Sequence, residues 1–126
     1  MKHSDLRVMI VEDDPDMIDL LGLILKRGGY DPVPALGGRA ALHKLQQDPV
    51  DLVLLDLMMD DMNGWEVLEA LQRDDSLRSI PVLILSARHQ LEDPNQTESH
   101  ADYFQGYVVK PFWMNDLLSL IGNALD

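Results

Sequence analysis

Residues 50–56 carry the feature that most restricts the fold, a short apolar run that ends in an acidic residue. Residues 52–55 are consecutive apolar residues, and Asp56 follows them directly. A run of this length before a turn-rich loop is typical of a strand that is buried on both faces of a parallel sheet. Asp56 would then lie at the carboxyl end of the strand, where open α/β sheets bind ligands. Taken alone, however, an aspartate at this position is more typical of a residue that caps a loop or a helix than of one that binds a ligand.

An apolar run followed by an amphipathic helix recurs along the whole chain. Strands are predicted at residues 6–11, 30–35, 50–56, 80–86 and 106–110, and helices at 15–27, after 38, from about 64, within 87–105 and at 113–124. Strands that are joined by helices run parallel, with right-handed crossovers. The sequence therefore predicts an α/β protein with a (βα)5 doubly wound, flavodoxin-like fold.

Two prolines predict the order of the strands in this sheet. Pro32 and Pro34 have no backbone N–H to donate to a ladder, which confines the second strand to an edge. An edge position for this strand fits the parallel five-stranded order 2-1-3-4-5. The segment 87–105 departs from the pattern, because residues 92–97 favour a loop and helical periodicity starts only at Glu98. We expect a late, short or distorted fourth helix.

The composition is that of one ordinary globular domain, and it excludes several classes of function. The 126 residues are 46% hydrophobic and 25% charged, which suits a single domain over residues 1–126. The formal net charge of -12 argues against nucleic acid or an anionic membrane as a direct partner. The chain has no cysteine for disulfides or thiolate metal sites. Without a signal peptide or a transmembrane run, it is expected to be cytoplasmic.

Polar residues end four of the predicted strands and should meet at one edge of the sheet. They are Glu12 and Asp13 after strand one, Asp56 after strand three, Ser86 after strand four and Lys110 after strand five. Clustered carboxylates repel one another unless a positive group neutralises them, and Mg²⁺ prefers such oxygen ligands. The ammonium group of Lys110 and the hydroxyl of Ser86 are each suited to bind a phosphate oxygen. The residues predict a metal-assisted phosphoryl acceptor site with Asp56 as the nucleophile.

Four stretches of the sequence resemble the receiver domains of two-component response regulators, including those similar to chemotaxis regulators. They are residues 11–15, 54–64, 81–87 and 107–112. Each stretch is weakly diagnostic, but together they have the order and spacing of the family and span nearly the whole chain. The resemblance implies that a histidine kinase or a small phosphodonor phosphorylates Asp56. The domain would then switch conformation, without turnover of an external substrate.

The resemblance also implies the ligands of the metal, Mg²⁺ or Mn²⁺. Asp13 would bind the ion directly and Glu12 mainly through water, while Asp56 and the backbone carbonyl of Met58 would complete the protein ligands. One departure concerns this loop, because the family usually has proline where this chain has Asp60. We expect Asp60 to add negative charge and to loosen the loop, and Asp60 and Asp61 to be solvated.

The remaining functional residues implied by the resemblance concern switching and signalling. Ser86 corresponds to the switch hydroxyl, Lys110 to the phosphate-binding lysine and Tyr107 to the aromatic residue that repositions on activation. The implied partners are a sensor histidine kinase or a phosphotransfer protein, and an output domain or partner protein. A phosphorylation-dependent dimer through the helix 4–strand 5–helix 5 face is also implied. The segment before strand five lacks the family's Gly-Ala-Asp pattern. The geometry of the surface that signals to the output is therefore the property that the resemblance implies least strongly.

Two further expectations concern hydrolysis and the histidines. Met58 and Arg88 occupy the positions that flank the approach of water in receivers, and neither can act as a general base at neutral pH. We therefore expect slow autodephosphorylation. The four histidines are scattered and are expected at the surface, since no paired spacing supports a metal site; they are His3, His43, His89 and His100.

Two other classes of function compete with a signalling receiver. A phosphate- or flavin-binding module on the same fold needs a loop rich in Gly, Ser and Thr after strand one, whereas residues 12–14 are acidic and would repel phosphate. A metal-dependent hydrolase with an aspartyl nucleophile would normally need a general acid beside it, and Met58 occupies that position. The formation of a stoichiometric, alkali-labile acyl phosphate separates these alternatives from a receiver.

Overall fold

A computed structural model, which describes residues 6–87 and 94–126, contains one parallel sheet with helices on both faces. Its strands are β1 (Arg7–Glu12), β2 (Asp31–Leu36), β3 (Leu52–Asp56), β4 (Val82–Ser86) and β5 (Gly106–Val109). Its helices are α1 (Pro15–Arg27), α2 (Gly38–Gln47), α3 (Gly64–Arg73), α4 (Pro94–Ser99) and α5 (Met114–Leu125). The strand order is β2-β1-β3-β4-β5, as the sequence predicted.

The prolines of β2 lie on an edge strand, as expected. Pro32 is in register with Val8 of β1, and Pro34 with Ile10. The side-chain ammonium of Lys44 donates to the carbonyl oxygen of Pro34. This edge therefore lacks two donors and has one of its acceptors bound, which disfavours pairing with a further strand.

Two hydrophobic cores hold the sheet between its helices. One core contains Met9, Val53 and Ile84 from the strands and is covered by buried residues of α2 and α3. The other contains Ile10 and Leu54 and is covered by α1 and α5. All five residues of β3 and of β4 are buried. The carboxyl ends of these strands are therefore fixed by packing on both faces.

The fourth helix differs in part from the sequence-based expectation. Residues 94–97, which were expected to form a loop, lie in α4, and a 3-10 helix follows at Ala101–Tyr103. Proline suits the first position of a helix, because its missing N–H would have no intrahelical partner there. The irregular passage from α4 into the 3-10 helix agrees with the expected short, distorted helix. Arg88 lies outside the residues that the structure describes.

Within 6–87 and 94–126, no helix combines the length and the apolar character needed to cross a bilayer.

Candidate functional site

The acidic residues that the sequence assigned to strand ends come together at the carboxyl edge of the sheet. One carboxylate oxygen from each of Glu12, Asp13 and Asp56 lies within 4.8 Å of the other two. Glu12 and Asp56 are each only 3% exposed, and Asp13 is half-buried. β1 and β3 are neighbours in the sheet, which explains why their carboxyl ends bring these three side chains together.

Lys110 adds a positive charge to this cluster. Its ammonium nitrogen lies 3.4 Å from Glu12 Oε2 and 3.4 Å from Asp56 Oδ1. The backbone N–H of Lys110 donates to the carbonyl oxygen of Ser86 at 2.8 Å, which continues the β4–β5 ladder to the edge of the site. The cluster therefore connects β5 to β1 and β3 through a single side chain.

Burial and crowding change the acidity of two of these carboxyl groups. Burial, reinforced by the negative charge of Asp56, raises the pKa of Glu12 from its ordinary 4.5 to about 7, and Lys110 opposes this rise. Burial also raises the pKa of Asp56, whereas Lys110 and a hydrogen bond from Glu12 act in the opposite direction. A protonated Glu12 that donates a hydrogen bond to an ionised Asp56 agrees with the raised pKa of Glu12 and with the lowering effect of this hydrogen bond on the pKa of Asp56.

The remaining predicted site residues lie on β4, on β5 and in the loop that follows β3. Ser86 is fully buried, and its hydroxyl donates to the carbonyl oxygen of Ala87 at 2.9 Å. The backbone N–H of Met58 donates to Asp56, while the Met58 side chain is 60% exposed. Tyr107 lies on β5 and is 53% exposed. The structure therefore places Met58 at the cluster, and Tyr107 on the surface of the strand that leads to Lys110.

The start of α3 approaches the end of β3 so closely that only glycine fits. A Cβ atom on Gly64 would lie 2.6 Å from the carbonyl oxygen of Asp56 and 2.7 Å from the Cα of Leu57. Asn63 caps the helix, because its side chain accepts from the N–H of Glu66 and the Glu66 side chain accepts from the N–H of Asn63. This capping box fixes the end of the loop that follows Asp56.

The carboxylate of Asp61 in this loop is bound rather than solvated, which corrects the expectation from the sequence, whereas Asp60 is exposed as expected. The backbone N–H of Asp60 donates to Asp13 Oδ2 at 2.9 Å, which connects this loop to the residue that follows β1. The carboxylate of Asp61 accepts from the N–H of Gly38 at 3.2 Å and of Arg39 at 2.9 Å. It thereby caps α2, since the N-cap residue Gly37 has no side chain.

His100 is a second correction, because it is 4% exposed rather than at the surface. Its Nε2 lies 3.0 Å from Glu69 Oε2, and its Nδ1 lies 2.7 Å from the carbonyl oxygen of Gln96. The imidazole also packs on Trp65, with 4.9 Å between the ring centroids. His100 thus joins α3 to α4 and has no contact with the carboxylate cluster. His43 is exposed as expected, and His3 and His89 fall outside the described ranges.

The donor set of the cluster fits a hard divalent cation. It offers carboxylate oxygens, which Mg²⁺ and Mn²⁺ prefer, and no imidazole or thiolate ligand joins it among residues 6–87 and 94–126. A cation would remove the repulsion that raises the pKa of Glu12. A divalent cation would therefore account for the clustering of these carboxylates.

Comparison with known proteins agrees with this geometry. Residues 8–122 match the family model described as the response regulator receiver domain. The chain belongs to the response regulator receiver family. Among solved structures, this receiver domain resembles the N-terminal domain of a response regulator receiver protein from Methanoculleus marisnigri, with 38% identity, a TM-score of 0.79 and coverage of 97% of this chain and 98% of that one. It also resembles Vibrio cholerae chemotaxis protein CheY4, with 27% identity, a TM-score of 0.86 and coverage of 97% and 100%.

Curated relatives are longer than this receiver domain. The DNA-binding dual master transcriptional regulator RpaA of Synechocystis is 36% identical over 116 residues, which are 91% of this chain and 47% of RpaA. The transcriptional regulatory protein GlrR of Escherichia coli is 32% identical over 126 residues, which are 100% of this chain and 28% of GlrR. The chain therefore spans about half or less of the length of these relatives. The similarity identifies it as a receiver domain of two-component response regulators, a signalling switch.

Proposed function

We propose that the chain is a phosphoacceptor switch in which Asp56 receives a phosphoryl group in a reaction that depends on Mg²⁺ or Mn²⁺. The observation that carries this proposal is the position of Lys110, whose ammonium group lies 3.4 Å from Asp56 and from Glu12. A buried acidic cluster beside a lysine at the carboxyl edge of a parallel sheet suits the binding of a cation together with a phosphate.

The proposed reaction starts with attack of an Asp56 carboxylate oxygen on phosphorus. The bond between phosphorus and the donor breaks, which is a P–N bond in a phosphohistidine, and its electron pair leaves with the donor. Glu12, Asp13, Asp56 and the carbonyl of Met58 would hold the cation, which would neutralise charge on the transferring group when bound. Lys110 would contact a phosphate oxygen from the side of β5.

Switching would follow from the contacts of the new phosphate. The Ser86 hydroxyl donates to Ala87 before phosphorylation, so it would have to leave this bond in order to donate to a phosphate oxygen. That exchange would move the start of the segment after β4. Tyr107 is 53% exposed and lies on the neighbouring strand, where it could take a different position once this segment moves.

The partners follow from the same chemistry. The donor would be a sensor histidine kinase, a phosphotransfer protein or a small acyl phosphate, and the receiver would act in the cytoplasm as a single domain over residues 1–126. The output would be a partner protein, an attached domain or a dimer formed through the face of α4, β5 and α5. No external substrate would be turned over.

The decisive experiment is phosphorylation by acetyl phosphate in the presence of Mg²⁺. We expect intact-mass analysis to show one alkali-labile phosphoryl group on the wild type and none on Asp56→Asn, whose amide is nearly isosteric but not nucleophilic. Asp14→Asn is the matched control, because Asp14 is an N-cap outside the cluster and asparagine caps equally well. Labelling of Asp56→Asn would refute the assignment. Continued turnover of the donor without a trapped acyl phosphate would favour a hydrolase instead.

A further inference from the structure

The loop that follows β3 is connected to the proposed metal ligand by an unusual donor. The backbone N–H of Asp60 donates to Asp13 Oδ2 at 2.9 Å. Receivers usually have proline at this position, and proline has no N–H. The hydrogen bond is therefore available to this chain because it departs from the family pattern.

The N–H of Asp60 is held in place by its neighbour Asp61, which contacts the start of α2. The carboxylate of Asp61 accepts from the first N–H groups of α2, on Gly38 at 3.2 Å and on Arg39 at 2.9 Å. These hydrogen bonds lower the pKa of Asp61, and the bond from the N–H of Arg39 has the largest effect. The carboxylate of Asp61 is therefore ionised at neutral pH. A negative group at a helix N-terminus is further stabilised by the helix dipole.

A third hydrogen bond closes the connection back to the metal site. The N–H of Gly37, the residue before α2, donates to the carbonyl oxygen of Glu12 at 3.0 Å. Gly37 has a φ of +101°, and a Cβ atom there would lie 3.0 Å from the nearest Asp61 oxygen. The loops after β1, β2 and β3 are thus joined in one ring of hydrogen bonds. The Asp60 amide cannot move away from Asp13 without breaking this ring.

We propose that Asp60 is a positioning residue for metal binding, whose backbone N–H holds the carboxylate of Asp13 in place while Asp61 anchors Asp60 to α2. A carboxylate has two oxygens, so the bond from Asp60 leaves the other oxygen of Asp13 to ligate the cation. A hydrogen bond to a charged acceptor is among the stronger kinds and limits rotation of the side chain. This inference rests on the proposed function, because it takes Asp13 as a metal ligand.

The test compares two substitutions that remove the same carboxylate, of which only one keeps the N–H. Asp60→Pro removes the donor and the carboxylate, whereas Asp60→Ala removes the carboxylate and keeps the donor. Because both lose the same charge, their difference reports the hydrogen bond. Mg²⁺ titrations of the full chain, followed by amide NMR at constant ionic strength, should give Asp60→Pro a dissociation constant about tenfold higher than Asp60→Ala, the lower end of the effect of losing an outer partner of a ligand. Asp61→Ala should also raise the dissociation constant for Mg²⁺.

The outcomes separate this inference from the proposed function. If Asp13→Ala abolishes Mg²⁺ binding but Asp60→Pro and Asp60→Ala bind equally, the positioning role of Asp60 is wrong and the metal site stands. If Asp13→Ala binds Mg²⁺ like the wild type, the metal site is wrong and the inference falls with it.

A second measurement avoids the proline substitution, which could disturb the loop. Without metal, the Asp60 amide of the wild type should exchange with solvent at least about tenfold more slowly than in Asp13→Ala, since a bound N–H must open before it exchanges. Equal exchange rates in the two proteins would show that the bond to Asp13 does not hold the amide, and would overturn the proposal even if Asp60→Pro failed to fold.

Discussion

The Met58 side chain is 60% exposed beside Asp56, the proposed phosphoacceptor, which is 3% exposed, so Met58 can affect the access of water to a phosphoryl group there. A thioether cannot orient a water molecule for attack on phosphorus, whereas the amide of Met58→Asn can both donate and accept. We expect Met58→Asn to speed the decay of the acyl phosphate by roughly tenfold or less, because an amide orients water without taking its proton.

The measurement is loss of the labelled species after removal of the phosphodonor. Met58→Leu is the matched control, because it keeps an apolar side chain of similar size and should decay like the wild type. Equal lifetimes for Met58→Asn and Met58→Leu would show that this side chain does not control the water.

Gly64 gives a second prediction at the level of one residue. Its missing Cβ would lie 2.6 Å and 2.7 Å from backbone atoms of Asp56 and Leu57, which cannot move independently of β3. Gly64→Ala should therefore lower the free energy of unfolding by about 1–3 kcal/mol, the usual cost of overpacking. It should also slow phosphorylation, because it displaces Asp56, the proposed nucleophile.

Gly22→Ala is the control for that experiment. Gly22 lies within α1, and a Cβ atom there would have nothing within 4 Å. Alanine is the better helix former, so this variant should gain about 0.5–1 kcal/mol in urea unfolding. Stability of Gly64→Ala equal to or above that of the wild type would contradict the close approach of α3 to β3.

At the scale of elements, α3 is joined to α4 by His100, which contacts Glu69 and Gln96 and packs on Trp65. His100→Ala would leave a cavity and remove both hydrogen bonds. We expect it to cost about 2–4 kcal/mol in the free energy of unfolding. His43→Ala, at an exposed position of α2, should change stability by less than about 0.5 kcal/mol. Similar urea midpoints for the two variants would mean that the His100 contacts add little to stability.

The strands and most helices could be predicted from the sequence because their signals are local. The apolar run before Asp56 indicates a buried strand, and Pro32 and Pro34 indicate an edge. The grouping of the strand-end residues followed from topology, since parallel strands end at the same edge of the sheet. Sequence reasoning therefore placed Asp56 and Lys110 in one cluster without any knowledge of side-chain geometry.

The features that the sequence did not reveal depend on distant partners. Asp61 caps a helix 22 residues earlier in the chain, and His100 meets a glutamate 31 residues earlier. No local pattern specifies such partners, so an aspartate in a loop and an isolated histidine look solvated in the sequence. The fourth helix was predicted to start too late, because residues 94–97 have low helix propensity and the surrounding fold can override that preference.

At the scale of the whole molecule, the carboxylate cluster links the stability of the fold to pH. Glu12 has a pKa of about 7 in the folded protein against an ordinary 4.5, so the folded state keeps its proton where the unfolded state has lost it. Between these pH values the folded state binds more protons, and the free energy of unfolding therefore falls as pH rises. The raised pKa of Asp56 acts in the same direction. A cation that binds the ionised carboxylates opposes this trend, and its affinity should rise with pH up to about 7.

Urea unfolding of the metal-free protein between about pH 5 and about pH 8 would test this linkage. Other groups titrate in this range, so the informative quantity is the difference in slope between the wild type and Glu12→Gln, whose amide does not ionise. The wild type should lose more stability than Glu12→Gln as pH rises, and saturating Mg²⁺ should reduce that difference, because the bound cation stabilises the ionised form of Glu12. Parallel pH profiles for the two proteins without metal would show that Glu12 titrates alike in the folded and unfolded states, and would remove the electrostatic reason for a cation at this edge of the sheet.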